Sequence, residues 1–338
     1  MMQASVSVEA GDGVPDALID AVVIGGGAAG LNAALMLGRS RRSVVVIDSA
    51  TPRNAPAEGV HGLLGLEGIP PAELYRRGRG EVRRYGGLVV SGQVASAKPA
   101  APSADGDLRF AVTLTDGRTL ASRRVLVATG LRDVLPDVPG LAAHWGRGVV
   151  HCPYCHGWEV RDEPIGILAS GPHSVHQALL FRQISDDIVY FTGGGDLDTG
   201  TRARFAARHM AIVDSPIAEV VGGEDGGLAG VLLADGQIVA RRVLAVATTM
   251  HARTEELDGL GLPMEDLPEG MGRRIASRLA GTTAVPGVWV AGNATDPFAQ
   301  VGASAAAGAM AGAHINAHLA AADTDAAVAA AQAAIAAA

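Results

Sequence analysis

Short runs of branched aliphatic residues alternate along this chain with stretches whose apolar positions recur at helical spacing, a pattern that predicts parallel strands joined by helices. The first run is Leu18-Ile19-Asp20-Ala21-Val22-Val23-Ile24, and Leu31 to Leu37 follows it with helical spacing. Ser43-Val44-Val45-Val46-Ile47 predicts a second strand, and a charged helix is expected from about Pro71 to Tyr85. Leu88-Val89-Val90 through Val94, Phe110 to Leu114 and Thr119 to Leu120 predict short strands around the turn Asp116-Gly117. Val125-Leu126-Val127-Ala128-Thr129-Gly130 predicts a buried strand closing on small residues, where backbone can pass close to a cofactor. Pro136-Asp137-Val138-Pro139-Gly140 then breaks the pattern and places a domain junction there.

The alternation resumes with strands at Ile165-Gly166-Ile167-Leu168 and Ile188-Val189-Tyr190-Phe191 around a helix from Val175 to Gln183. Strands around Gly230 to Leu233 and Ile238 to Ala247 flank an Asp235-Gly236 hairpin turn. The chain returns through Val285 to Asn293, and Gln300-Val301 open a small-residue helix from 302 to about 320. Its amino terminus offers unpaired N–H groups and a positive dipole to a group that gains negative charge. These elements predict an α/β protein of two Rossmann-like, three-layer domains, the second inserted in the first. Residues 18–139 and 254–320 form the first and residues 140–253 the insertion. Residues 1–17 are polar and aperiodic and are expected to be disordered, and 321–338 are expected to be an alanine-rich tail without chemistry.

Glycines sharpen the first domain. Gly25, Gly27 and Gly30 match G-x-G-x-x-G between the first strand and the first helix, and Asp48 ends the next strand about 20 positions on. Bare backbone at 25 and 27 lets a pyrophosphate approach the helix amino terminus, and the acid can bond a ribose hydroxyl. Strand, glycines, helix, strand and acid together predict a dinucleotide site. The second unit repeats the theme imperfectly: Ala169 and Ser174 replace the first and third glycines, and Pro172 intrudes. After Phe191, Thr192-Gly193-Gly194-Gly195-Asp196 holds no basic residue for a 2′-phosphate, so this second site is expected to have lost its ligand.

With 35 acidic and 27 basic residues the chain carries a formal charge of -8, which argues against a nucleic-acid partner. No apolar segment has the length and freedom from charge to span a bilayer, and a reducing, cytoplasmic setting is expected. The only two cysteines stand in His151-Cys152-Pro153-Tyr154-Cys155-His156-Gly157-Trp158-Glu159. C-x-x-C-H is also an attachment signature for c-type haem, but that needs export, and Met1-Met2-Gln3-Ala4-Ser5-Val6 has neither a positive start nor a long apolar core. Zinc normally takes four ligands in paired clusters, and no second cysteine pair exists, so no metal site is expected. A redox dithiol is the favoured reading, with His156 placed to hold a thiol as thiolate.

The order of parts resembles the low-molecular-weight thioredoxin reductases over about residues 18–320: a dinucleotide motif, an Ala-Thr-Gly strand, a C-x-x-C heading a second dinucleotide-like unit, and Ala291-Gly292-Asn293 before a helix. The resemblance implies that Gly25, Gly27, Gly30 and Asp48 bind FAD. It also implies that Cys155 lies nearest the flavin, that Cys152 is the interchange thiol, and that the protein is a homodimer. Further cofactor contacts are placed at Arg53, His61, Val94, Thr129, Gly130, Gly292, Asn293, Gln300 and Val301, although His61 reads equally as a structural loop residue.

Three departures shift the picture. His156 and Asn293 stand where thioredoxin reductases carry aspartates, and the NADPH fingerprint with its basic cluster is missing. These departures resemble the dithiol oxidases that close the disulfides of gliotoxin, holomycin and romidepsin. The implied reaction takes electrons from a small-molecule dithiol through Cys152, Cys155 and FAD to O2, with His156 deprotonating a thiol. Two alternatives stand beside it: a reductase of thioredoxin or a thioredoxin-like protein, fed by NADPH or another donor such as ferredoxin, and a non-enzymatic flavin and C-x-x-C redox sensor.

Overall fold

The computed structural model describes residues 14–103, 106–171, 173–224 and 226–337. Its first sheet has seven strands, six of them in the order Leu88–Ser91, Val44–Asp48, Ile19–Ile24, Thr119–Val127, Arg109–Leu114 and Val94–Ala100. Val288–Val290 returns from the far end of the chain to pair in parallel with Val125–Val127. Helices α1 (Ala28–Arg39), α2 (Pro71–Arg84) and, from the carboxyl end, a third long helix, Val301–Ala336, accompany this sheet. The second sheet runs Ala211–Val213, Ile188–Phe191, Ile165–Leu168, Val243–Val246 and Val149–Val150, all parallel. With it go α3 (Pro153–His156), α4 (His173–Phe181) and α5 (Thr199–Ala207), so the carboxyl-terminal helix is α6. Among the described residues no helix is long and apolar enough to cross a membrane.

The two crossings between the sheets lie side by side. Leu131–Val134 leaves the first unit and Thr249–Ala252 comes back, paired antiparallel from Thr249 with Val134 to Ala252 with Leu131. The Thr129 hydroxyl donates to the Arg253 carbonyl at 2.7 Å, and the Arg253 amide donates to Gly130, so the two passages are fastened where they meet the first sheet.

Several expectations need correction. Thr119–Leu120 and Val125–Val127 are one nine-residue strand, Thr119–Val127, which pairs antiparallel with 110–113 at one end and in parallel with 19–24. Ser122 and Arg124 masked its continuity, because both are buried: Arg124 is 1% exposed, with Nη1 on Asp107 at 2.9 Å and Nε on His318 at 3.2 Å. A buried guanidinium is tolerated when paired and hydrogen-bonded in this way. The expected strand Ile238–Ala247 is instead two, Ile238–Ala240 in a small meander with 217–222 and 228–233, and Val243–Val246 in the second sheet. The helix expected over 175–183 spans His173–Phe181.

The termini differ too. Residues 1–13 lie outside the described residues, whereas Val14 packs against the core of the first sheet. The alanine-rich tail continues α6 without a break, and it does carry chemistry: Asp323 accepts from Arg42 at 2.7 Å and from Arg123 at 2.6 Å, pinning the helix to the first sheet. Small residues on α6 have a packing reason. A Cβ on Gly308 would lie 2.0 Å from the Ala29 carbonyl, and one on Gly312 2.6 Å from that of Ala33, so only glycine lets α6 lie this close to α1.

Candidate functional site

The glycine turn shows why each glycine is there. Gly25 has φ +111°, and a Cβ would sit 2.2 Å from the Ala128 carbonyl, while one on Gly30 would sit 1.9 Å from the Gly25 carbonyl. These two keep strand, turn and helix in contact. Gly27, which caps α1, has no atom within 4 Å of its Cβ position, which leaves open space over the helix amino terminus. There the first amides of α1 lack intrahelical acceptors, and the first turn of the helix carries no acidic residue. Asp48 ends its strand with its carboxylate over Gly26, and Arg79 approaches it at 3.5 Å. Such a turn has the open space and free amides that can hold a diphosphate, with a carboxylate able to accept from a hydroxyl at its far side.

The cradle opens into one cavity of about 760 Å³ that reaches from Gly25 and Asp48 to Cys152, Cys155 and His156. Gly27, Arg53, His61, Thr129, Gly130, Gly292, Asn293, Gln300 and Val301, assigned as cofactor contacts from the sequence, also line it. Two assigned contacts do not. The Val94 side chain is buried in the core of the first sheet, and Gly30 is buried within α1, where its part is packing. Gln300 caps α6 with an extended backbone, so the first amides of that helix face the cavity beside Val301.

Asn293 acquires a reason of its own. Its Nδ2 donates towards the carbonyls of Asp296, Pro297 and Ala299, at 3.0, 3.3 and 2.8 Å. An aspartate here would set a carboxylate against three carbonyl oxygens in this loop.

At the thiols, Cys152 caps the four-residue α3 and Cys155 lies one turn on, both half-buried and unjoined. The Cys152 thiol is pulled below its ordinary range, first by a hydrogen bond from the Cys155 thiol, with the amides of Tyr154 and Cys155 and the Arg53 guanidinium adding to it. Cys155 is pushed up because it donates that bond and is buried beside the Cys152 charge. Arg53 is therefore a neighbour of the thiols as well as of the cofactor cradle. Asp133, on the outgoing crossing strand, holds it bidentately at 2.7 Å on both oxygens, and Thr248 donates to the same carboxylate at 2.7 Å.

His156 is half-buried, and its Nδ1 atom is covered with no hydrogen-bond partner. Burial pushes its pKa below the ordinary histidine value; Glu159 opposes this, and His61 and His151 reinforce it. The ring is thus neutral at pH 7, the form that accepts a proton. His61 is fixed between two acids, with Nδ1 2.7 Å from Glu67 and Nε2 3.4 Å from Glu159. Sequence reasoning missed Glu67, Asp133 and Gln177. Of these, Gln177 is the least expected, since a polar residue inside an amphipathic helix gives no separate signal. Its Nε2 donates to the His151 carbonyl at 2.6 Å.

The pyridine nucleotide-disulphide oxidoreductase family model matches residues 19–313. The chain belongs to that family. Thioredoxin reductase tcpT of Claviceps purpurea (strain 20.1) is 36% identical over 253 residues, covering 72% of this chain and 78% of the relative. Thioredoxin reductase sirT of Leptosphaeria maculans is 32% identical over 298 residues, covering 84% and 89%. The crystal structure of HlmI superposes with a TM-score of 0.87 at 43% identity over 95% of this chain and 98% of that one. The fold is that of a thioredoxin reductase-like disulphide oxidoreductase, and the resemblance read from the sequence holds.

Proposed function

We propose that this protein is an FAD-dependent dithiol oxidase that closes a disulfide in a small molecule and passes the electrons to dioxygen. The observation that carries this reading is the cavity joining the Gly25–Asp48 turn to Cys152, Cys155 and His156. Gly25, Gly27 and Asp48, with the amides of α1 and α6, would hold the dinucleotide, and the open space over Gly27 fits its diphosphate. Bound there, FAD would supply a two-electron path from the cysteine pair to dioxygen, which leaves as hydrogen peroxide.

The remaining chemistry belongs to the chain. His156 takes the proton from a substrate thiol, and the thiolate attacks Cys152 of the internal disulfide, releasing Cys155 as thiolate. The Cys155 thiolate, whose surroundings favour its protonated form, takes the proton of the second substrate thiol, which attacks its own sulfur partner in the mixed disulfide, and Cys152 departs. The surroundings that lower the Cys152 thiol make it a good leaving group in that step. Two protons and two electrons leave the substrate as its disulfide forms.

Steady-state turnover in air tests the reading. A yellow preparation should oxidise a small dithiol with one hydrogen peroxide formed per disulfide. A protein that neither holds nor accepts FAD, or that oxidises dithiols only when given another acceptor, would remove it.

His156→Ala should lower kcat/KM at pH 7 by roughly 100-fold, the lower range for general-base catalysis. The neutral ring is present above its own pKa, which burial sets below the ordinary value, so native activity should stay level through pH 7 and fall only on the acid side. In the variant, activity should climb with pH as solvent deprotonates the thiol, and the deficit should shrink by pH 9. A deficit equal at every pH would show that His156 only packs.

A further inference from the structure

The loop between Gly59 and Ile69 belongs to the first unit but reaches the turn that carries the thiols in the second. Val60 closes the loop, donating its amide to the Ile69 carbonyl at 2.8 Å and accepting from the Gly68 amide at 2.9 Å. Inside, one oxygen of Glu67 meets His61 Nδ1 at 2.7 Å, and the other accepts from the Gly62 amide at 2.8 Å. With Nδ1 held in the loop, Nε2 is turned across the seam and meets Glu159 at 3.4 Å. Gly59 makes room for this ring, since a Cβ there would lie 3.2 Å from Nε2.

Glu159 stands three positions after His156, on the turn that continues α3, where the Val160 amide donates to the His156 carbonyl at 3.3 Å. Helical spacing of this kind brings side chains three apart into reach of each other. The charges acting on the His156 ring come from three elements: Glu159 from its own turn, His61 from the loop, and His151 from the end of Val149–Val150. Only the Glu159 carboxylate favours the protonated ring, and the two histidines oppose it. His156 Nδ1 has no hydrogen-bond partner, so among these groups Glu159 alone offsets the charge of a ring that has taken a thiol proton.

We propose that Glu159 is the positioning residue of the base: held across the seam by His61, its carboxylate balances the positive charge that His156 acquires with the proton of a substrate thiol. The first unit thereby completes the base carried by the second. The part in turnover rests on the dithiol oxidase reading; the pairing of charges does not.

Two measurements on flavin-bound Glu159→Gln separate this role from a tie that only joins the units. Without the carboxylate the His156 ring is harder to protonate. Its titration, followed by NMR and assigned by its absence in His156→Gln, should move to lower pH by about half a unit or more. The acid limb of kcat/KM should move the same way, with a loss of roughly two- to threefold at pH 7 from the weaker base. Glu159→Asp keeps the charge and should hold both curves near their native positions. A fall in activity with both curves unmoved would show that Glu159 only braces the seam and would overturn the proposal, as would an equal displacement in Glu159→Asp. A native protein that oxidises no dithiol, with the titration displaced as expected, would remove the oxidase reading and the role in turnover but not the pairing of charges.

Discussion

Cys152→Ser and Cys155→Ser should each lower dithiol turnover by at least about a thousandfold, the scale on which loss of a covalent participant is felt, while the flavin stays bound. A single thiol cannot form the internal disulfide that accepts substrate electrons. Cofactor retention follows from the geometry, since the glycine cradle and Asp48 belong to the first sheet and neither sulfur belongs to the turn that would hold the diphosphate. The two variants should differ in one respect. In C155S the serine hydroxyl still donates to Cys152, and the amides and Arg53 remain, so the surviving thiol should stay low in pKa and be largely thiolate at pH 7. In C152S the surviving Cys155 is half-buried and loses its partner's thiolate, and its partial burial still favours the protonated form. Labelling by an aromatic disulfide at pH 7 should therefore be on the order of tenfold or more faster in C155S than in C152S. Equal rates would mean that the asymmetry between the thiols is not built by these neighbours.

The parts legible in the sequence were those whose chemistry is local. The Ile19–Ile24 strand, the glycines after it, α1, the Val44–Asp48 strand and its terminal acid fall within about thirty residues, and each element dictates the next through backbone constraints. The same holds for Cys152, Cys155 and His156 on one short turn. What stayed hidden depends on residues far apart. Arg124 reads as a solvated charge until Asp107 and His318 arrive to pair it, and so one strand reads as two. Arg53 reads as a cofactor contact until Asp133, from a strand 80 positions on, turns its guanidinium to where it acts on both thiols. The side chain of Val94 lies in the core outside the cavity, a placement hidden in the sequence because a buried strand residue and a cofactor neighbour share the same apolar signature. Asp323 was overlooked among alanines because only the docked helix brings it to Arg42 and Arg123.

The second nucleotide-like turn supports the largest difference from a nicotinamide-driven reductase: NADPH at micromolar concentration should not bleach the flavin in anaerobic mixing, whereas a small dithiol should. The turn after Ile165–Leu168 has its Ser170 amide bonded to Ser174 Oγ at 3.0 Å and its Ser170 hydroxyl bonded to Ala247, so donors that would face a pyrophosphate are already satisfied within the protein. Ser174 is fully buried, and a phosphate would have to displace a hydroxyl packed in the core. At the end of the next strand, Thr192 is buried with its hydroxyl towards the Asp214 carbonyl. Arg202, on α5, has its guanidinium bidentate on Asp214 at 2.7 and 3.0 Å, which raises its pKa and leaves it committed. Each missing charge-assisted bond weakens binding by about 1.5–3 kcal/mol, so losing two of them costs roughly 10²- to 10⁴-fold in affinity. NADH lacks the 2′-phosphate and escapes the second penalty only, with Asp196 the remaining candidate for its ribose. Bleaching by NADPH on the timescale of turnover would mean that these internal bonds open readily, and the reductase reading borne by the names of the fungal relatives would replace the oxidase.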